Sequence, residues 1–347
     1  MKSTCKLLCH LVALAGFAAV PQARAVSATP ALVEQVAVVS PSALRTSMLA
    51  AARAGKRIVA VGDRGVVLLS DDEGKTFRQA TSVPTRAMLT SVSFAPDGRT
   101  GWAVGHLGVV LVTRDAGATW QLQRDDTATD QPLFTTLFVS PDEGYAAGLW
   151  SLFLRTHDAG RTWTAQPLVS DTKGGSGKSG AAGPNLFSLT RTRTGTLLMT
   201  SEQGVMYRST DAGSNWTAIH TDNTGTFWAS TALRSGTLLA GGLAGKIYRS
   251  TDDGQTWQAV AQATRSSITG MAQLHSGRVV AVGLDGALLS SNDDGLTFKA
   301  SYRADRLDLT AVIPTGNDSA VVFSSAGPLL DPQRSGSTAT TDQVAAR

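Results

Sequence analysis

One octapeptide, Ser/Thr-x-Asp-x-Gly-x-Thr-aromatic, occurs six times in this chain of 347 residues and limits what it can fold into. The copies begin at Ser70, Thr113, Thr156, Ser209, Ser250 and Ser291, and only the fourth departs, with Asn215 in place of Thr. Their glycines, at 74, 117, 160, 213, 254 and 295, lie 43, 43, 53, 41 and 41 residues apart. A fixed period of this length marks a repeat architecture. The second copy shows the unit: 89–94 alternates as a strand, 96–98 is a turn, 101–104 a strand, 105–108 a turn and 109–112 a third strand. The octapeptide then turns the chain into a fourth strand at 119–122. Four strands in about 42 residues is the module of a propeller blade. No segment has convincing helical periodicity.

The fold class is therefore all-β, a seven-bladed β-propeller of four-stranded blades with its ring closed by an N-terminal strand. Six blades are expected at about 46–80, 88–123, 133–168, 185–220, 226–260 and 268–302. The seventh, 308–330, carries no octapeptide and lacks its outer strand. Residues 32–39, Leu-Val-Glu-Gln-Val-Ala-Val-Val, are expected to supply that strand, because closure removes exposed edges. The propeller so defined is one domain, 26–330, and the small polar residues 331–347 read as a disordered tail.

Residues 1–25 read as a signal peptide. Lys2 and Lys6 precede an apolar run from Leu7 to Val20, and Ala23-Arg24-Ala25 is a small-x-small cleavage site. The run is too short for a permanent membrane anchor, and no other run is long enough. Cleavage near Ala25 removes Cys5 and Cys9, the two cysteines of the chain. It also lowers the formal charge from +4 to +1, leaving 28 basic against 27 acidic residues. The basic balance belongs mostly to the leader, so no nucleic-acid partner is expected. The product is expected to be periplasmic or secreted, with no direct membrane span, and monomeric.

The octapeptide has a mechanical reading. Its Asp accepts hydrogen bonds from turn amides, and its Gly permits the positive φ of a tight hairpin. Asp72, Asp115, Asp158, Asp211, Asp252 and Asp293 are thus structural, one per blade and scattered around the ring. The five histidines show no metal-ligand spacing, so neither metal nor cofactor is expected.

The recurring block, as in Ala103-Val-Gly105-x-x-Gly108-Val-Val-Leu-x-Thr113-x-Asp115-x-Gly117-x-Thr119-Trp120, resembles the bacterial-neuraminidase (Asp-box) repeat. More particularly it is similar to the repeat of the photosystem II stability and assembly factor family of seven-bladed propellers, over nearly all of 30–330. The resemblance implies a non-enzymatic scaffold. Such relatives dock on membrane proteins during assembly through an arginine-bearing face, on the lumenal or periplasmic side.

In a four-stranded blade the loops between strands two and three share one face with the interblade links, while the octapeptide hairpins lie opposite. A binding site is sought on the first face. Its two-to-three loops carry Asp63-Arg64, His106-Leu107, Leu149-Trp150, Glu202-Gln203, Leu243-Ala244 and Leu284-Asp285. The links carry Arg78, Arg86, Arg124, Arg265, Arg303 and Arg306, interleaved with Asp125 and Asp126. Arginine forks suit carboxylates. The candidate docking residues are therefore Arg64, Arg86, Arg124, Trp150, Glu202, Trp228, Arg265, Arg303 and Arg306, for a membrane or periplasmic protein partner. Phe187 and Trp228 are placed to line the channel mouth. The alternative is a glycosidase-like, sialidase-like or sugar-binding propeller. Sialidase chemistry needs an arginine cluster, a Tyr nucleophile and carboxylates, but only Glu202 among the glutamates falls on the expected face. A carboxylate pair drawn from Asp63, Glu202 and Asp285 is the surviving catalytic reading, and no catalytic residue is expected.

Overall fold

The structure, a computed structural model, describes residues 32–168 and 183–329. The expected signal peptide, the tail 331–347 and most of 171–184, the segment that accounts for the ten extra residues of the 53-residue spacing, lie outside the described residues. Seven antiparallel sheets follow one another along the chain, at 48–79, 89–124, 133–165, 186–220, 227–259, 268–302 and 309–329. The first six have four strands each in simple sequence order, so this is the expected seven-bladed propeller. The core lies between blades, where second and third strands of neighbours press together. Val59 and Leu69 of blade one, for example, meet Leu111 and Trp120 of blade two.

The octapeptide hairpins repeat bond for bond. In the first, the Asp72 carboxylate accepts from the Ser70 hydroxyl (2.8 Å), the Thr76 amide (2.9 Å) and the Thr76 hydroxyl (2.6 Å). The Ser70 hydroxyl in turn accepts from the Gly74 amide at 2.8 Å. In the fourth, Asn215 Nδ2 replaces the Thr hydroxyl and donates to Asp211 at 2.7 Å, which explains why that departure is tolerated. The Thr76 hydroxyl and amide hold the Asp72 carboxyl down to about 2, and Thr162 does the same for Asp158. Ring contacts complete the unit. Trp120, Trp216 and Trp257 each donate their indole N–H to the carbonyl of their own octapeptide glycine.

Ring closure differs from the expectation. Residues 32–39 do not pair with blade seven, which has three strands among the described residues. Leu32–Glu34 is a 3-10 turn, and the stretch after it runs along the link between blades one and two. There the Ala37 amide donates to Val83 O (2.9 Å), and the Arg86 amide to Leu32 O (2.8 Å). Val33 and Ala37 are buried against Val83 and Ala87. Burial of a large apolar side chain is worth about 1.5–3 kcal/mol, and Val33 finds it between blades one and two. Closure is made by blade one itself. The Thr310 hydroxyl donates to Met48 O, Arg53 Nε to Pro314 O (3.2 Å), and Phe77 packs edge-on against Phe323 at 5.8 Å.

Candidate functional site

The turns between second and third strands share one backbone. Their middle residues, Arg64, Leu107, Trp150, Gln203, Ala244 and Asp285, all have φ between 54° and 57°. In five blades the strand before the turn ends in glycine for a steric reason. A Cβ on Gly105 would sit 2.0 Å from Met88 O, and one on Gly242 2.0 Å from Thr226 O. Blade four instead has Ser201, whose hydroxyl donates to Asn185 O at 2.8 Å.

That close approach coincides with a bulge at the start of every innermost strand. The bulged residues are Leu49, Thr90, Phe134, Phe187, Trp228, Thr269 and Thr310. Around this ring, Leu49 of blade one apart, the chemistry splits in two. In blades two, six and seven the bulge is Thr, whose hydroxyl donates to a carbonyl of the next blade: Thr90 to Leu133 O (2.6 Å), Thr269 to Leu309 O (2.7 Å). In blades three, four and five it is aromatic and half-buried. Phe134 and Phe187 stack in parallel, with centroids 5.6 Å apart.

The aromatic sector continues onto its turns. Trp150 is 51% exposed, at the tip of the blade-three turn. It and Ser151 both occupy the left-handed region, with φ of 54° and 60°. Left-handed backbone costs a non-glycine residue roughly 1–2 kcal/mol. Asn185 secures the strained turn. Its Oδ1 accepts from the Trp150 amide (3.0 Å), while its Nδ2 donates to Glu202 Oε1 (2.9 Å) and its amide to Glu202 Oε2 (3.2 Å). Ser151 adds its own amide and hydroxyl, both donating to Pro184 O. Glu202 thus braces the turns of blades three and four. Leu243, on the blade-five turn, is exposed as well.

The arginines separate into two groups. Arg124 donates to Gly108 O (2.6 Å) and pairs with Asp126 (3.1 Å), tying a turn to its link. Arg303 is buried and makes a forked pair with Asp305, at 3.0 and 2.6 Å. Arg86 donates to Gln35 Oε1 at 3.1 Å. Arg78 lies on an outermost strand against Asp71. These side chains serve the fold, so Arg86, Arg124 and Arg303 are not the free docking cations the sequence suggests. Arg64, Arg265 and Arg306 remain exposed, the last over the Tyr302 ring at 4.5 Å. Exposed Asp125, Asp285, Asp305 and Asp308 lie on the same face, which is mixed in charge rather than basic.

The catalytic reading finds no convergence. Asp63, Glu202 and Asp285 stand on the turns of blades one, four and six. Each has a local partner: the Arg64 amide, Asn185, and the Ser266 hydroxyl respectively. Among the described residues no group of His, Cys, Asp and Glu is placed to hold a metal.

Two residues of the aromatic sector escape sequence reasoning. Phe134 shares the register of Phe187 and Trp228, and aligning the residue pairs 133–134, 186–187 and 227–228 finds it. Asn185 has no sequence signal, because its partners lie far away along the chain.

Comparison with known proteins fits this geometry. Residues 79–242 match the family described as photosynthesis system II assembly factor YCF48. The chain is a seven-bladed propeller similar to the photosystem II assembly factors. Residues 187–328 also match the DUF6242 β-propeller domain. Among solved structures, YCF48 bound to a D1 peptide is 19% identical at a TM-score of 0.66, covering 85% of this chain and 94% of its own. YCF48 from Cyanidioschyzon merolae is 17% identical at 0.65, covering 85% and 96%. The propeller domain of Cps50 (Swd1) from Myceliophteria thermophila is 14% identical at 0.64, covering 84% and 97%. At these identities the structures speak to the fold alone. No curated protein matches the chain significantly.

Proposed function

We propose that this assembly-factor-like propeller is a non-catalytic scaffold that binds an extended segment of a protein partner on the aromatic sector of blades three to five. One observation carries the reading: Trp150 is held half-exposed on a left-handed turn, braced from below by Asn185 and Glu202. Leu107, on the equivalent turn, packs against the core between blades one and two, whereas Trp150 stays exposed, and aromatic anchors set on rigid supports dominate protein interfaces. Phe134, Phe187 and Trp228 extend the platform toward the ring axis, and Arg64, Arg265 and Arg306 supply cations on the other blades. The solved structure of YCF48 bound to a D1 peptide supports a peptide as the ligand class.

The leader-like residues 1–25 support export, and with it a membrane or periplasmic partner. Affinity capture from membrane and soluble fractions tests the reading, comparing wild type, the pair Trp150→Ala/Trp228→Ala, and Arg161→Ala on a hairpin as control. A partner held by wild type and the control but lost by the pair supports it. A partner held by all three contradicts it. Robust turnover of chromogenic glycosides by the purified protein overturns the non-catalytic reading.

A further inference from the structure

The interface between blades six and seven lacks something the other six possess. Each octapeptide glycine abuts one register position on the second strand of the preceding blade. A Cβ on Gly117 would meet Val59, on Gly160 Trp102, on Gly213 Tyr145, on Gly254 Leu198, on Gly295 Leu239 and on Gly74 Val321. The seventh member of that series is Val280, and blade seven has no octapeptide to cover it. The other six are buried, and Val280 alone is half-exposed. A second series agrees. Val67, Val110, Phe153, Met206 and Ile247, on third strands facing the next blade, are buried, whereas Leu288 is half-exposed.

Between these side chains and blade seven lies a cleft of about 640 Å³, also bordered by Val322 and Leu329, with Arg278 and Lys75 at its rim. This is the slot that a seventh octapeptide and its aromatic ring would fill. The outer edge of Gly327–Leu329 lacks the fourth strand among the described residues. Arg278 completes the analogy. Arg57, its counterpart in blade one, donates to the octapeptide carbonyls of Asp115 (3.4 Å) and Ala116 (3.2 Å) in blade two. Arg208 and Arg249 similarly clasp Asp253 and Asp294 of the next hairpin. Arg278 is exposed and reaches only as far as Asp318 O, at 3.5 Å.

We propose that this cleft is a second docking site, distinct from the aromatic sector, for an extended segment of a partner protein carrying an aromatic side chain and a carboxylate. The ring enters between Val280 and Leu288, and the backbone adds to the edge of Gly327–Leu329 in the manner of strand addition. The carboxylate and carbonyls face Arg278 and Lys75. The chain's own six hairpins provide the template, and Arg278 and Lys75 provide the charge preference, since Glu73, the carboxylate also on the lining, is already paired with Arg53.

The probe is a fluorescein-labelled synthetic peptide with the sequence of residues 250–260, which contains one complete octapeptide, titrated against the full chain by anisotropy. Saturable binding is expected. It should weaken at least tenfold with Arg278→Glu, with Val280→Trp in the protein, and with Trp257→Ala in the peptide. Trp150→Ala should leave it unchanged, which separates this site from the aromatic sector. Arg278 is exposed, so its substitution reads binding without disturbing the fold. Absence of saturable binding to the full chain overturns the proposal. So does binding that appears only after residues 330–347 are deleted, which makes the chain's own end the occupant. Binding indifferent to both protein variants, or replaced by self-association that they abolish, overturns it as well.

Discussion

The two faces of this propeller are built on equally constrained backbones, yet they use their side chains in opposite ways. On the hairpin face the residue before each octapeptide glycine is left-handed, at 73, 116, 159, 212, 253 and 294, and the polar side chains bond back to their own hairpin. On the turn face the middle residues are also left-handed, but they are Arg, Leu, Trp, Gln, Ala and Asp. The first face repeats side chains because their hydrogen bonds make the hairpin. The second keeps only the backbone, held by glycine and by carbonyls of the interblade links, and leaves its tips free to vary. Variation on a fixed backbone is what a recognition surface needs.

The comparison breaks first if the turn-face backbone proves soft. Gly105→Val drives a side chain into Met88 O, and overpacking of that kind costs about 3 kcal/mol. Denaturant unfolding measures it, and a loss below about 1 kcal/mol would show that the turns yield. Next in size, Asp115→Ala should cost about 2 kcal/mol, since the Thr119 amide and the Thr113 and Thr119 hydroxyls lose a charged acceptor. The same substitution at Asp285, on the turn face, should fall within about 0.5 kcal/mol of wild type.

The hairpin carboxylates also predict a pH dependence. Asp72, Asp158 and Asp293 are depressed from the ordinary 3.8 to about 2 by their Thr partners. Their stabilisation is therefore complete above the ordinary value and is lost as the pH falls through about 2. Melting temperatures should hold from pH 7 to 5 and drop steeply between pH 4 and 2. Asp72→Asn should flatten that drop. The smallest effect is the most discriminating. Trp150→Gly relieves a left-handed side chain and should raise stability by about 0.5 kcal/mol while lowering partner capture. A loss of stability would make Trp150 a packing residue.

How much of this was legible in the sequence follows from the same division. Six octapeptides in register announce blades, hairpins and the roles of their Asp residues, because those bonds are local. The path of 32–39 was not legible. Its place upstream of blade one and the open edge of blade seven suit an outer strand, but Val33 and Ala37 are buried between blades one and two. Nor was the fate of the arginines. Arg303 is two residues from the Asp305 that captures it, and only burial shows the pair to be closed to a partner. Trp150 was visible as an anomaly, whereas the Asn185–Glu202 brace that makes it a support appears only in three dimensions.

Site-specific photocrosslinking in cells tests the central claim most directly, with p-benzoylphenylalanine placed at Trp150 on the turn face or at Arg161 on a hairpin. The account predicts a discrete crosslinked protein from position 150, absent from position 161 and suppressed by Trp228→Ala. The same product from both positions, or from 161 alone, would contradict it.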